Sequence, residues 1–395
     1  MATPLLRACG IDSYFKDKNG KFHSFLLWNV IAALAHLANA VASFYTASEV
    51  GRNNMYPVFQ DYALWQNKSD YCSNDTGAIG YTQTGMGNEF VILPTESKQT
   101  SELSLFWLII GFHMLSFGFQ ISLNTNYFRD WYVSSVLEKG VNPMRFLEYS
   151  ISASLMVICL ALISNILSLY ALIGLGIMTT ATQLFGLLAE CLFSDEYLVA
   201  ARKDEYSEYS EGAPLVSVAT FRDSEVATRR AAKPEKPDKP IENPLTKNLR
   251  RLGWAAHFSG WLTMLGGYIG ILLNQFFFSR SQSSSDGVSA PAWVDALIIV
   301  IAVLYNVFGF IQLFQLCAKD PYLNSVTGKR SGCPWVSNGE SGDGRRIKVC
   351  GLSLNEGVEF CYVLNSLATK TVLGWVIIGQ ISRTEDVIGI AITCQ

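Results

Sequence analysis

The stretch Leu364–Trp375, LNSLATKTVLGW, sets a lysine inside an apolar run that extends from about 357 to 381. About 20 apolar residues are needed to cross the hydrocarbon core of a bilayer, so this run reads as a membrane span with Lys370 near mid-depth. A side chain so far from either end is too deep for its stem to carry the ammonium to an interface. Ionisable groups at that depth are costly and mark functional sites. Three fates are open to such a lysine: it can lose its charge, pair with a carboxylate, or be consumed as an imine. A protonated imine keeps its charge, so the last two fates both call for an acid nearby.

Working outward from that run, half of the 395 residues are apolar and they are gathered in long blocks, which is the composition of a membrane protein. Blocks long enough to span fall at 24–45, 103–123, 145–167, 169–193, 252–278, 293–317 and 357–381. The apolar run from Ile151 to Leu192 is too long for one crossing, and Ser164-Asn165 supplies the polar turn that divides it. Met1 to Phe22 lacks the apolar h-region of a cleavable signal peptide. The expected fold is an all-α membrane protein, one seven-transmembrane-helix bundle over residues 1–395.

Basic residues orient the bundle. Lys and Arg number 24 on the side of the N-terminal tail, counting Arg145 with the loop between spans 2 and 3, and 5 on the opposite side, with Lys370 inside the membrane. Cytoplasmic loops carry the excess, so the N-terminus is expected in the cytoplasm and the C-terminus outside, in a plasma membrane or an endomembrane. The two glycosylation sequons, at Asn67 and Asn74, both fall in the loop 46–102 on the expected outer face. Of the nine cysteines, Cys72 and Cys394 are the two expected outside, and they are the pair open to a disulfide.

The segment 202–245, with AAKPEKPDKPIENP, mixes both charge signs with prolines and lacks apolar periodicity, so it reads as a disordered cytoplasmic loop or a docking segment. The loop 46–102 carries FVILP near its end and is expected to hold a short hairpin that caps the outer face. The loop between spans 6 and 7 has one cysteine pair without histidines nearby, too little for a zinc site, and no metal is expected. A net charge of −3 gives no reason to expect a nucleic-acid partner.

Ionisable residues within the spans are few: His36, His113, Glu148, Glu190, His257, Glu359 and Lys370. Glu148, one to two turns into span 3 from the cytoplasmic side, is the best carboxylate for Lys370. Glu359 lies three turns from Lys370 on the same span and is expected to end at the interface.

Five segments together resemble the heliorhodopsins: RFLEYSISASLMV from Arg145, LNSLATKTVLGW, YNVFGFIQLFQ from Tyr305, GYIGILL from Gly267 and LFGLLAE from Leu184. The resemblance covers all seven spans and leaves the long loops aside, and the inverted orientation agrees with it. It implies a rhodopsin-like bundle and all-trans retinal held as a protonated Schiff base on Lys370, with Glu148 as counter-ion and Ser366 beside it. It implies that His36, His113 and Asn29 line a polar cavity on the cytoplasmic side that relays a proton, and that Asn306 and Gln312 form a polar pair on span 6. Tyr268 stands where relatives carry a tryptophan, and Phe308, Trp375 and Phe185 are the remaining pocket aromatics. Membrane lipid, a homodimer partner and a cytoplasmic signalling partner are the associations implied. Enzymatic activity is not.

A retinal proton pump returns its proton through a second carboxylate on span 3, but Tyr149 to Tyr170 holds no Asp or Glu, and the position eleven after Glu148 is Cys159. Pumping is therefore not expected. A non-pumping photoreceptor with a slow conformational signal is the reading preferred. Its alternatives are a light-gated passive proton or ion channel, through Glu190, His257, Asn306 and Gln312, and a retinal-free receptor or transporter.

Overall fold

A computed structural model describes residues 24–49, 55–62, 65–67, 90–92, 96–194, 244–278, 292–319, 336–339, 346–349 and 352–388. Among these, seven helices are long and apolar enough to cross a membrane. Span 1 is Ser24–Glu49, span 2 Leu105–Ser122, span 3 Pro143–Ile163 and span 4 Leu169–Leu192. Span 5 is Pro244–Leu273, continued by a π-helical turn to Phe278, span 6 is Ala292–Lys319 and span 7 Leu354–Ile388. The chain is an integral, multi-pass membrane protein.

Local chemistry sets the ends of span 3. Asn142 caps its start, accepting a hydrogen bond from the Arg145 amide at 3.1 Å, and Pro143 takes the first turn, where its missing N–H costs nothing. At the far end the Ser164 hydroxyl donates back to the Leu160 carbonyl at 2.7 Å, and Asn165 takes the left-handed conformation, φ 60°, that lets the chain reverse into span 4. A short helix, Asn126–Tyr132, and the π turn that follows it join spans 2 and 3.

The spans pack in a ring order set by the chain. Span 1 lies against span 2, span 2 against span 3, span 3 against span 4 and span 4 against span 5, while span 7 closes on spans 6, 1 and 2. The main core runs through spans 2 to 7, with Ile109, Phe112, Cys159, Leu160, Ile298 and Leu373 fully buried. Among the described residues, thirty-one large apolar side chains are exposed, mostly along the spans, as a lipid-facing surface requires.

The loop between spans 1 and 2 holds two antiparallel pairs. Strand β1 (Met55–Tyr62) pairs with β4 (Glu96–Ser104), and β2 (Trp65–Asn67) with β3 (Phe90–Ile92), the FVI of the quoted FVILP. Val58 on β1 is buried in the main core, and the Phe59 amide donates to the Leu167 carbonyl in the turn between spans 3 and 4 at 2.9 Å. A further three-stranded sheet, β5 (Val336–Gly339), β6 (Arg346–Val349) and β7 (Leu352–Ser353), precedes span 7. Asn67 ends β2. Asn74, Cys72, Cys394 and residues 202–243 of the long loop lie outside the described residues.

Candidate functional site

Lys370 is 2% exposed and Glu148 4%, so both sit inside the bundle. The Lys370 ammonium Nζ lies 2.5 Å from Glu148 Oε1, which closes the offset between the two spans. Glu148 Oε1 also accepts from the hydroxyls of Ser116 at 2.5 Å and Ser152 at 3.1 Å, and Lys370 donates to Ser116 Oγ at 2.5 Å. The Tyr149 ring stands 5.1 Å from the ammonium, presenting its negative face to the cation. A buried ion pair is tolerable when its spare donors and acceptors are also met, and two hydroxyls and an aromatic face do that here.

Ser116 was not singled out from the sequence. Serines within spans are usually packing residues, and nothing in a linear sequence shows which face of span 2 turns toward Lys370. Ser116→Ala is expected to remove a hydrogen bond to a charged group, worth roughly 1.5–3 kcal/mol. The measurement is thermal loss of the folded state, together with the position of any visible absorption band, which should shift as the pair rearranges.

The ammonium lies in the wall of a cavity with about 1000 Å³ of space between atoms, counting what is open to the outside. Spans 3 to 7 line it, with Tyr149, Met156, Met264, Tyr268, Phe308 and Lys370 among the lining residues. Ser366, four residues before Lys370 and on the same helix face, lines it too, as does Gln312. An aromatic and methionine-rich tube that ends on an amine fits a polyene aldehyde: the hydrocarbon finds apolar walls and the aldehyde carbon meets its nucleophile.

Three of the expected residues, Trp375, Phe185 and Asn306, lie off the wall of this cavity. Trp375 is 46% exposed and donates to Asn39 Oδ1 at 2.9 Å. Five residues past Lys370, it is rotated about 140° around the helix from the lysine. Phe185 packs with Ala189, Phe193, Ala256 and Leu316, because its neighbour Gly186 takes the cavity-facing position. Asn306 turns its amide onto the Ala302 carbonyl of its own helix at 2.8 Å, leaving the cavity wall to Tyr305. Asn29 borders a second, smaller cavity with Gln120, Tyr132, Asn142, Glu148 and Glu359.

His36 and His113 are buried and bonded to each other, Nδ1 to Nδ1, at 3.0 Å. They do not line the small cavity that Asn29 borders. A Cβ on Gly374 would lie 3.3 Å from His113 Nε2, and Gly374 is one turn beyond Lys370 along span 7, away from that span's N-terminal end. The pair thus sits on the opposite side of Lys370 from the N-terminal ends of spans 1, 3 and 7, against the expectation of a cytoplasmic-side histidine cavity.

On the side of those N-terminal ends lies a second charged cluster. Arg145, counted above with a loop, is buried one turn into span 3 and forms ion pairs with Glu190 of span 4 and Glu359 of span 7. Asn142 donates through its side chain to Glu359 at 2.9 Å and through its backbone to Glu190 at 3.3 Å. The guanidinium also stacks 3.8 Å from the Tyr362 ring centre. Glu359 is therefore buried, not interfacial, because Arg145 and the partly positive start of span 3 both draw it inward.

Among the described residues no group of three or more His, Cys, Asp or Glu could hold a metal ion. A family model described as heliorhodopsin matches residues 25–198, which hold the first four spans, Glu148, Ser116 and Arg145, while Lys370 lies beyond the match. No curated protein matches the chain.

Proposed function

We propose that this chain, which a family model described as heliorhodopsin matches over residues 25–198, is a light-sensing retinal protein, a non-pumping photoreceptor carrying all-trans retinal on Lys370. The observation that carries the reading is the Lys370–Glu148 pair in the wall of an apolar, aromatic cavity. Bound retinal supplies absorption of visible light and a double bond that isomerises.

The chain's own residues do the rest. Lys370 is the attachment point, and Glu148 is the counter-ion that keeps the nitrogen charged. Ser116 and Ser152 hold the carboxylate on that nitrogen. Tyr149, Phe308 and Tyr268 fix the space available to the polyene. Moving the nitrogen away from Glu148 leaves a carboxylate held by two hydroxyls beside the small cavity that Arg145 also lines. That is a change of local field able to shift how spans 3, 4 and 7 pack. The cytoplasmic loops, a signalling partner there and a second copy of the chain would read it out.

A passive conductor is the second reading, favoured by the small polar cavity that reaches from Glu148 to Arg145 and Glu359. Against it, the other half of the path is closed by apolar side chains: Leu105, Ile109, Leu373, Ile377 and, from the hairpin, Val58 are all fully buried. The test is an absorption spectrum with and without retinal, followed by voltage clamp under light. A visible band without photocurrent and without uphill proton movement is expected. Steady photocurrent that reverses with the gradient would replace the photoreceptor reading by the conductor.

Glu148→Gln keeps the shape and removes the charge. A buried cation stripped of its partner costs about 3–5 kcal/mol, which at 1.36 kcal/mol per pH unit is a shift of roughly 2 to 3.5 pH units. The midpoint pH at which the visible band gives way to a near-ultraviolet band is expected to fall by about that interval relative to the unaltered protein.

A further inference from the structure

Span 7 packs against spans 6, 1 and 2, whereas span 5 packs against spans 4 and 6, so the large cavity reaches across the bundle from Lys370 to a far wall on span 5. His257, Trp261, Met264 and Tyr268 line that wall, and their spacing puts all four on one helix face. Three polar atoms there are buried without a hydrogen-bond partner: Nε2 of His257, Nε1 of Trp261 and, two turns further along the wall, the hydroxyl of Tyr268. The His257 and Trp261 rings are neighbours, with centroids 6.2 Å apart.

The hydrogen bonds behind the wall fix what each atom offers. Gln312 Nε2 donates to the Gly186 carbonyl at 2.8 Å, so its carbonyl oxygen is the atom that faces His257 Nδ1 at 3.0 Å. An amide oxygen only accepts, so Nδ1 carries the proton and Nε2 of the uncharged ring presents a lone pair. The indole Nε1–H of Trp261 only donates. Its ring is held in place: a Cβ on Gly309 would lie 2.6 Å from it, and Phe310 meets it edge-on at 5.0 Å between centroids. At its His257–Trp261 end the wall therefore presents one acceptor beside one donor.

A hydroxyl group satisfies both atoms at once, since it donates and accepts. A carbonyl satisfies only the indole, and a hydrocarbon neither. Leaving buried polar atoms unmet is unfavourable, so the arrangement discriminates between ligands by that one group. We propose that this wall is a hydroxyl-recognition site and that the chromophore this protein selects is a retinal hydroxylated on its ring. The inference rests on the retinal reading above and adds the ligand's polar end.

The full chain, produced without any retinoid, is offered an equimolar mixture of all-trans-retinal and all-trans-3-hydroxyretinal. The bound chromophore is then extracted as its oxime and quantified. Enrichment of the hydroxylated form by at least about fivefold is expected, the scale of one to two net hydrogen bonds. The ratio should fall to within about twofold of unity in W261F, which keeps an aromatic ring against Gly309 and removes the donor, and in H257F, which removes the acceptor. Parity in the unaltered protein, as when water alone fills the site, would overturn the inference while leaving the retinal reading intact. So would an enrichment that persists in both variants. Recovery of no chromophore of either kind would overturn the retinal reading and this inference together.

Discussion

Lys370→Ala protein made in the presence of retinal is expected to be colourless, with the visible band of the unaltered protein lost entirely. The cavity keeps its walls, because the removed side chain contributes only its stem and amine, and Glu148 keeps two hydroxyl donors in Ser116 and Ser152. Loss of colour should therefore come without loss of helix, and far-ultraviolet circular dichroism checks that. A second measurement separates attachment from folding. Supplying the variant with a preformed imine of retinal and a short alkylamine should restore a visible band, because that amine replaces the missing stem beside Glu148. A Lys370→Ala protein that binds retinal with an unchanged band would remove Lys370 from the mechanism.

Arg145→Leu is expected to be the most destabilising single change at the charged cluster. Glu190 and Glu359 would then face each other inside the bundle without the cation that pairs with both. Breaking a buried pair from one side costs about 3–5 kcal/mol, whereas replacing all partners with uncharged groups is often close to neutral. The triple variant R145L/E190Q/E359Q should therefore recover most of the stability lost in R145L, as read by thermal unfolding in detergent. Equal stability of R145L and the unaltered protein would mean that the cluster contributes no net stabilisation.

The seven spans and the Lys370–Glu148 pair were legible because an ionisable side chain inside a long apolar run is visible residue by residue. What depends on rotation about a helix axis was not. Trp375 and Phe185 are aromatic and close in sequence to cavity residues, yet 100° per residue turns them away from the cavity. Ser116 is turned inward by the same geometry. Depth was the other missing quantity. Arg145 sits at the edge of its apolar block and counts as a loop charge by composition, although the cap at Asn142 starts the helix before it and carries it inside. Glu359 was assigned to the interface by its distance from Lys370, when its partner came from another span. The histidines were assigned to the wrong side of Lys370 because ordering groups along antiparallel helices requires their offsets, which loop lengths do not give.

The hydrogen bond from Phe59 to the Leu167 carbonyl and the buried Val58 join parts of the chain more than a hundred residues apart. The β1–β4 pair cannot take its seat until the turn after span 3 has been made and brought to the same side of the bilayer. At translation rates of ~5–20 residues per second, that leaves the strands waiting for several seconds or more. Biogenesis of this protein therefore has a late closing step at that end of the bundle, and a nascent chain arrested before Leu167 would have nothing there to dock against.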